Sequence, residues 1–555
     1  MISDFIFSVK PMVMKWIAKV VICAALLSLL AACSDRSANS QKISADVLKD
    51  KIAGGWAGKM IGVTYGAPTE FHALGKTFDD SICWTPDDIR GSLCQDDIYV
   101  QLTFMMTMDK YGMNAPAKKF QEMFAKAGYM LWHANMQARK NYYDSIFPPA
   151  SGSPEFNPHA DDIDFQIEAD YIGLMCPGMP STALGLAEKT GHIMNYGDGV
   201  YGGIFISAMY TYAFFDNDIE TIINNSLKSI PAGSDYAKII SDVVLLHQHY
   251  PDDWKAAWQE LQSKWGYDHF CEPGSDFNID AKVNGAYIVM GLLYGNGDPE
   301  KTLEISTRCG QDSDCNPSSA MGILGVILGF DKLPAEMKAG VSTMEDSLFI
   351  NTDYSFNKAV ENTYKYAREL IVQNGGSINQ TEIAIARQSP ESAKPEISFP
   401  DVIADKKVSV FNSNEWTFTG EWKTWQHTDW QLKKLTDQAK FCEKQGDAIE
   451  INFSGTGISV DGNWFRDGGK ADVYLDGKFL RTIDTYYFYN NQEHENVTIW
   501  HITGLNNGRH TVKLVNTGSR NPSSLGTRLY ITKATIFKTA PKKSAGYLFS
   551  FQAEK

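Results

Sequence analysis

Two periods of hydrophobic positions divide the chain. From residue 44 to about 375, apolar residues recur at three- and four-residue spacing, as on one face of a helix. Leu48, Ile52, Trp56 and Met60 make a first stripe, and Ile98, Leu102 and Met105 or Met106 a second. A third opens at Pro317, a residue suited to a first helical turn, and runs through Met321, Leu324 and Leu328. Gly55, Gly58 and Gly62 share the first helix. Glycine weakens a helix interior, so their use there predicts close approach of another helix or of a ligand. Beyond Pro400 the period falls to two: Ile449, Ile451 and Phe453 alternate with polar residues, as do Val473 and Leu475, then Val512 and Leu514. Asp476-Gly477, between two such runs, is a two-residue hairpin signal. The expected architecture is an all-α domain over residues 44–375, a linker at 376–400, an all-β sandwich over 401–540 and a tail at 541–555. Gly375-Gly376, Ser389-Pro390 and Lys394-Pro395 mark the linker.

The N-terminus adds a compartment. Lys15 and Lys19 precede an apolar stretch from Val20 to Ala32. At ~1.5 Å per residue it makes roughly 20 Å of helix, short of a ~30 Å hydrocarbon core, so residues 1–32 read as a signal peptide. Leu30-Ala31-Ala32-Cys33 is similar to a bacterial lipobox. Cys33 is therefore the candidate lipidation site, residues 33–43 a lipidated polar tether, and a membrane of the cell envelope the expected partner and location. Removing residues 1–32 takes away three lysines and one aspartate, moving the net charge from −15 to −17. An acidic chain without a basic run is a poor candidate for nucleic acid. The seven cysteines after Cys33 show no CxxC spacing, which argues against a zinc ribbon or a redox motif. Serine-hydrolase, zincin and nucleotide-hydrolase motifs find no support.

Candidate chemistry concentrates in acidic clusters. Gln95-Asp96-Asp97 stands directly before the second stripe and Asp312-Ser313-Asp314 before the third. Carboxylates so placed either cap a helix or converge on a hard divalent cation such as Mg²⁺. The densest acidic segment is Asp161 to Asp170. On a continuous helix, Ile163, Ile167, Tyr171 and Leu174 would be buried and Asp164 and Glu168 would share another face. Their repulsion there is relieved by solvent, a cation or sugar hydroxyls. Asp162 and Asp164 are candidate substrate contacts. The loop Tyr196 to Gly203 precedes an apolar run, and such loops can bind anions. Asp198 within it, and no Lys or Arg, suit an uncharged sugar better, which makes Tyr201 and Gly202 substrate-binding candidates. His159 and His192 stand alone, and a structural role is expected for each. Trp464, Tyr486, Tyr487 and Trp500 are either sandwich core or platforms for sugar rings. Val460 to Arg466 reads as an exposed loop, which makes Trp464 the candidate sugar contact.

One series of motifs goes further. Gly54-Gly55-Trp56-Ala57-Gly58-Lys59-Met60-Ile61-Gly62 is followed by Gly66-Ala67-Pro68-Thr69-Glu70-Phe71, then Asp96-Asp97, then Gly310-Gln311-Asp312-Ser313-Asp314. In order and local character this resembles the ADP-ribosylglycohydrolase family over about residues 44–375. The resemblance implies an all-α fold with a two-magnesium site that handles a ribosyl group. It implies Asp96, Asp97, Asp312 and Asp314 as metal ligands and Glu70 beside the reacting sugar. Where the family has threonines before the Asp pair and after the Asp-x-Asp, this chain has Gln95 and Cys315. A glutamine carbonyl oxygen is still a hard ligand, so Gln95 stays in the set, whereas a thiol is soft. The expectation is one or two Mg²⁺ or other divalent ions. Farther along, Gly455-Thr456-Gly457-Ile458, the Asp476-Gly477 hairpin and Gly508-Arg509-His510-Thr511-Val512 resemble galactose-binding-like jelly-roll modules.

The activity these readings imply is metal-aided hydrolysis of an N- or O-glycosidic bond in a glycan or pentoside, with Glu70 and Asp97 as catalytic carboxylates and a carbohydrate-binding sandwich. Two alternatives stay open: an ADP-ribosyl-protein hydrolase, and a non-catalytic glycan-binding lipoprotein whose metal site has decayed. Oligomeric state is not legible.

Overall fold

The computed structural model describes residues 40–540 apart from 267–269, 271, 273, 413 and 430–433. The signal peptide, Cys33 and the 541–555 tail lie outside the described residues. Helices fill the chain from Ala45 to Gln373 and strands from Val402 to Thr539, so the architecture changes where the hydrophobic period does.

The contact that organises the helical domain is made by glycine. Ser44 caps the Ala45–Gly66 helix by accepting from the Val47 amide, and Leu48, Ile52, Trp56 and Met60 are all buried. Gly54, Gly58, Gly62 and Gly66 recur every fourth residue and form one row on that helix. A Cβ at these positions would lie 2.2, 2.2, 2.2 and 1.9 Å from the carbonyl oxygens of Gly325, Met321, Pro317 and Ser313. The acceptors descend by four as the glycines ascend by four. The Cys315–Leu328 helix therefore runs antiparallel to the first with the backbones in contact. This register has a chemical consequence, because it fixes Ser313 against Gly66 and so brings two distant motifs side by side.

The acidic segment departs from the expected continuous helix. It forms two short helices, Asp164–Ile167 and Asp170–Met175, and Asp164, Glu168 and Asp170 are buried instead of solvated. The segment Tyr196 to Gly203, expected as a loop, is helical from Asp198 on and largely interior. Gly197, at φ 54°, precedes the Asp198–Ala213 helix, and a Cβ there would strike Ser398.

The connection between the two parts is an ordered strap, not a slack linker. Strand Ile383–Ala386 pairs with Ser40–Ile43 on one side and Ser377–Ile378 on the other, so the last residues of the expected tether are tied down. The Tyr201 hydroxyl donates to the Lys394 carbonyl at 2.8 Å, the Ser398 hydroxyl to Tyr196 O at 3.0 Å, and His192 meets the Glu396 carboxylate.

The C-terminal part stacks a five-stranded antiparallel sheet (Lys478–Asp484, Gly469–Leu475, Gly508–Arg520, Ala448–Gly455, Trp416–Thr419) on a four-stranded one (His494–Ile502, Gly457–Trp464, Lys533–Thr539, Val402–Ser409). Asp476 and Gly477 have φ of 51° and 77°, and Leu475 pairs with Lys478, as a two-residue hairpin of this type requires. Val460 to Trp464 is strand, not loop, and the whole Gly457–Trp464 strand is buried. Trp464 stacks on Tyr487 with ring centroids 5.6 Å apart, and Tyr486 and Trp500 are buried too. These aromatics are structural in the first instance.

Among the described residues no helix is long and apolar enough to cross a membrane. The described cysteines, Cys83, Cys94, Cys176, Cys309, Cys315 and Cys442, are free thiols.

Candidate active site

Asp96 and Asp97 open the Asp96–Tyr111 helix behind Gln95, which is the N-cap residue and makes no side-chain capping bond. Asp314 caps the Cys315–Leu328 helix, its Oδ1 accepting from the Cys315 amide at 2.9 Å. The Glu70 turn is stitched to the 310–314 loop by two backbone bonds, Phe71 N to Gln311 O and Gln311 N to Ala73 O, both 3.1 Å. Phe71 and Gln311 hold φ of 54° and 56°, an unusual backbone for such side chains, and they flank Glu70 and Asp312 respectively. With the glycine register behind it, this stitch places Glu70 beside the Asp-x-Asp pair.

The electrostatics record the convergence. Partial desolvation, then Asp314, Asp96 and Asp97, lift Glu70 to about 8, although it keeps solvent access. Desolvation, then Asp97, Asp314 and Asp164, raise Asp96 to about 8. Burial, with Glu70 and Asp96 as neighbours, lifts Asp312 to about 7 despite its hydrogen bond to Asp314. Burial and Asp312 drive Asp314 upward as well. Glu70, Asp96, Asp97, Asp312 and Asp314 thus form one mutually repelling group.

Asp97 is held differently. Its Oδ2 accepts from Ser318 Oγ at 2.6 Å and lies 3.2 Å from Lys59 Nζ. Lys59 is fully buried, 2.6 Å from Asp170 Oδ2, and donates to Ile167 O at 2.8 Å. Burial alone would lower the ammonium's pKa, but Asp170 and Asp97 outweigh it, so Lys59 remains charged. The other oxygen of Asp97, and Oδ1 of Asp312, are buried without a hydrogen-bond partner among the described residues. Ligand atoms of Asp312, Asp314 and Cys315 lie within 4.8 Å of one another. Orphaned carboxylate oxygens in a repelling cluster are what a hard divalent cation would satisfy, so the residues fit such an ion. Cys315 is the soft member of the set.

Asp164 borders this group. Its carboxylate accepts the Asn135 and Ala134 amides at 2.9 and 3.3 Å, at the start of the His133–Tyr143 helix, while burial and Asp162 lift it to about 7. Asp162 is engaged by two histidines, His159 Nδ1 at 2.8 Å and His133 Nδ1 at 3.5 Å. His159 is therefore not the lone histidine expected. His192 does hold a structural contact, to Glu396.

Tyr201 and Gly202 do not join the site. Tyr201 is occupied by the strap, and a Cβ on Gly202 would meet Gln166 at 2.7 Å. Asp198 accepts from the Tyr236 amide in the same interior region, so it says nothing about which ligand the site repels. Trp464 is placed elsewhere, on the sandwich. Local sequence had not singled out Lys59, Asp170, Ser318, Asn135 or His133. Lys59 carried a signal: it is the one charged residue in the run Gly54 to Gly62.

Carboxylates gathered at the ends of antiparallel helices make a centre whose residues fit a divalent ion. The family profile described as ADP-ribosylglycohydrolase matches residues 44–367, and the chain belongs to that family. A solved ADP-ribosylglycohydrolase-related protein complex is 14% identical, covering 58% of this chain and 99% of that one, with a TM-score of 0.41. A carbohydrate-binding module solved with calcium and xylotriose is 15% identical over 24% of this chain and all of its own length, with a TM-score of 0.15. Among curated proteins, the A type blood alpha-D-galactosamine galactosaminidase of Flavonifractor plautii is 30% identical over 105 residues, 19% of this chain. The chain spans only 9% of that relative's length.

Proposed function

We propose that this chain is a divalent-metal-dependent glycoside hydrolase that releases a neutral sugar from an N- or O-glycosidic bond of a glycan or pentoside at the cell envelope. The observation that carries the reading is the convergence of Glu70, Asp96, Asp97, Asp312 and Asp314 with two buried, unpartnered oxygens. Glu70 combines solvent access with a pKa that desolvation and the neighbouring carboxylates lift to about 8 in the ion-free cluster, which suits a carboxyl that gives a proton to the leaving atom and regains one from water. Cleavage develops positive charge at the anomeric carbon, which the surrounding carboxylates stabilise. Lys59 and Ser318 fix one oxygen of Asp97 and leave the second available. A divalent ion held by Asp96, Asp97, Asp312 and Asp314, with Gln95 as a further oxygen donor, would orient sugar hydroxyls and acidify a bound water.

The mature net charge of −17 disfavours a pyrophosphate, and the short match to a protein named for galactosamine supports a glycan. Family membership favours the other reading, an ADP-ribosyl substrate. The deciding experiment screens the mature protein with Mg²⁺ against aryl and natural glycosides and against ADP-ribosylated Arg and Ser peptides. Faster release of a neutral sugar supports the proposal. Efficient removal of ADP-ribose without glycosidase activity overturns it, and sugar binding without any turnover would make the protein a non-catalytic binder. Envelope anchoring rests on Cys33: Cys33→Ala should move the protein into the soluble fraction, and a variant that stays membrane-bound would contradict the anchor.

A further inference from the structure

The sandwich presents a polar patch where a docked sheet face would ordinarily be apolar. On the Gly457–Trp464 strand, Ser459 and Asp461 are two residues apart and share a face. Register places Thr498 and Lys533 opposite Asp461 and Thr535 opposite Ser459, so five polar side chains occupy one face of the sheet. Asp461 accepts from Thr498 Oγ1 at 2.9 Å and lies 3.5 Å from Lys533 Nζ. Ser459, Asp461 and Thr535 are buried, yet they line a cavity of about 190 Å³.

The opposite wall belongs to the helical domain. Trp132, His133 and His159 line it, and Trp132 is 45% exposed, a large aromatic face free to stack. His133 and His159 hold Asp162, which stands two residues before Asp164 in the chain. His133 also stacks on Phe277, and Phe277 on Phe71, the neighbour of Glu70. One chain of ring contacts therefore joins the cavity to the Glu70 turn. Beside the cavity the two domains are tied together: His501 Nε2 meets Pro154 O at 2.5 Å, and Tyr143 and Tyr489 stack at 3.8 Å. A second cavity, about 590 Å³, shares Pro158 and Thr498 with the first and continues between the domains past Lys140 and Trp464.

We propose that this interdomain cavity is a sugar subsite of the active site, in which the sandwich binds the sugar residue joined to the one being released. The inference rests on the glycosidase reading above. A cavity of about 190 Å³ is roomy enough for one sugar ring. An aromatic face opposite an adjacent acid and ammonium is the chemistry that recognises a ring with vicinal hydroxyls: the apolar face stacks on Trp132 while Asp461 accepts and Lys533 donates. The paired charges give the patch no net charge to attract a phosphate. The sandwich thus selects substrates that carry at least two sugars.

The test uses the full mature chain. Binding of methyl glycosides of galactose, N-acetylgalactosamine, xylose and arabinose is measured by saturation-transfer NMR for wild type, Asp461→Asn and Trp132→Ala. Wherever the wild type hydrolyses a glycoside, kcat/KM is compared for a disaccharide and the matching 4-nitrophenyl monoside. We expect one methyl glycoside to bind and to lose at least about tenfold in affinity in both variants, with the disaccharide-to-monoside kcat/KM ratio falling by a similar factor. Trp132 is exposed, so its variant keeps the test meaningful if Asp461→Asn folds poorly. No methyl glycoside binding to wild type, or binding undiminished in Trp132→Ala, overturns the subsite. If wild type hydrolyses only ADP-ribosyl substrates yet binds a methyl glycoside through Trp132 and Asp461, the glycosidase reading fails and the cavity's sugar binding stands.

Discussion

Replacing Lys59 by methionine tests the arrangement that fixes Asp97. Methionine keeps most of the apolar stem but removes the ammonium that lies 3.2 Å from Asp97 and 2.6 Å from Asp170, both fully buried. It also removes the donor to Ile167 O. Stranding a buried charge by deleting its partner costs about 3–5 kcal/mol, and here two carboxylates share the loss. The expected destabilisation is therefore about 3–5 kcal/mol, read from urea unfolding of the helical signal at 222 nm in EDTA at neutral pH. The double variant Lys59→Met/Asp170→Asn should recover at least about 1 kcal/mol of it, because one stranded charge is then gone. A loss below about 1 kcal/mol in Lys59→Met, or a double variant less stable than the single, would refute the reasoning.

Glu70 and Asp96 at about 8 and Asp312 at about 7 hold protons in the folded state that an unfolded chain releases near pH 4 to 5. The folded state binds the extra protons, so in EDTA the unfolding midpoint should fall as pH rises from about 5 to about 8. Saturating Mg²⁺ should flatten that fall, and a midpoint that rises over the same range in EDTA would contradict the cluster. Tyr201→Phe should cost about 1 kcal/mol through loss of the bond to Lys394 O and leave KM unchanged. A KM raised severalfold would return Tyr201 to the substrate site.

What was legible in the sequence is what local pattern decides. The Leu48-to-Met60 stripe and the Asp476-Gly477 hairpin depend on neighbours a few residues away, and both stand in the structure. The two acidic clusters were visible because helix starts are locally marked. Of the glycine row, Gly58 and Gly62 were visible as an anomaly but Gly54 and Gly66 were not, and the four-residue descent of the row's partners shows that a helix, not a ligand, fills it. Tyr201 and Gly202 misled because a glycine-tyrosine turn looks the same whether it faces a ligand or a strap nearly two hundred residues away. The Asp161–Asp170 helix broke because its carboxylates are claimed by partners outside the segment, Asn135 for Asp164 and Glu168 and Lys59 for Asp170. Trp464 was misread as loop because the docking of the sandwich on the helical domain, which covers the second face of its strand, has no local signature. His159 has its partner only three residues on, in Asp162 of the acidic segment, and His133 joins the pair through the fold of the helical domain.

The central claim is that the five carboxylates work as one cation-assisted glycosidic centre, and the direct measurement is sugar release by metal-stripped protein as a divalent ion is titrated back. Wild type in EDTA should be inactive and recover with Mg²⁺ or a related ion, while Asp314→Asn, folded by circular dichroism, should not recover at any concentration. Full turnover by wild type in excess EDTA, or by Asp314→Asn, would contradict the account.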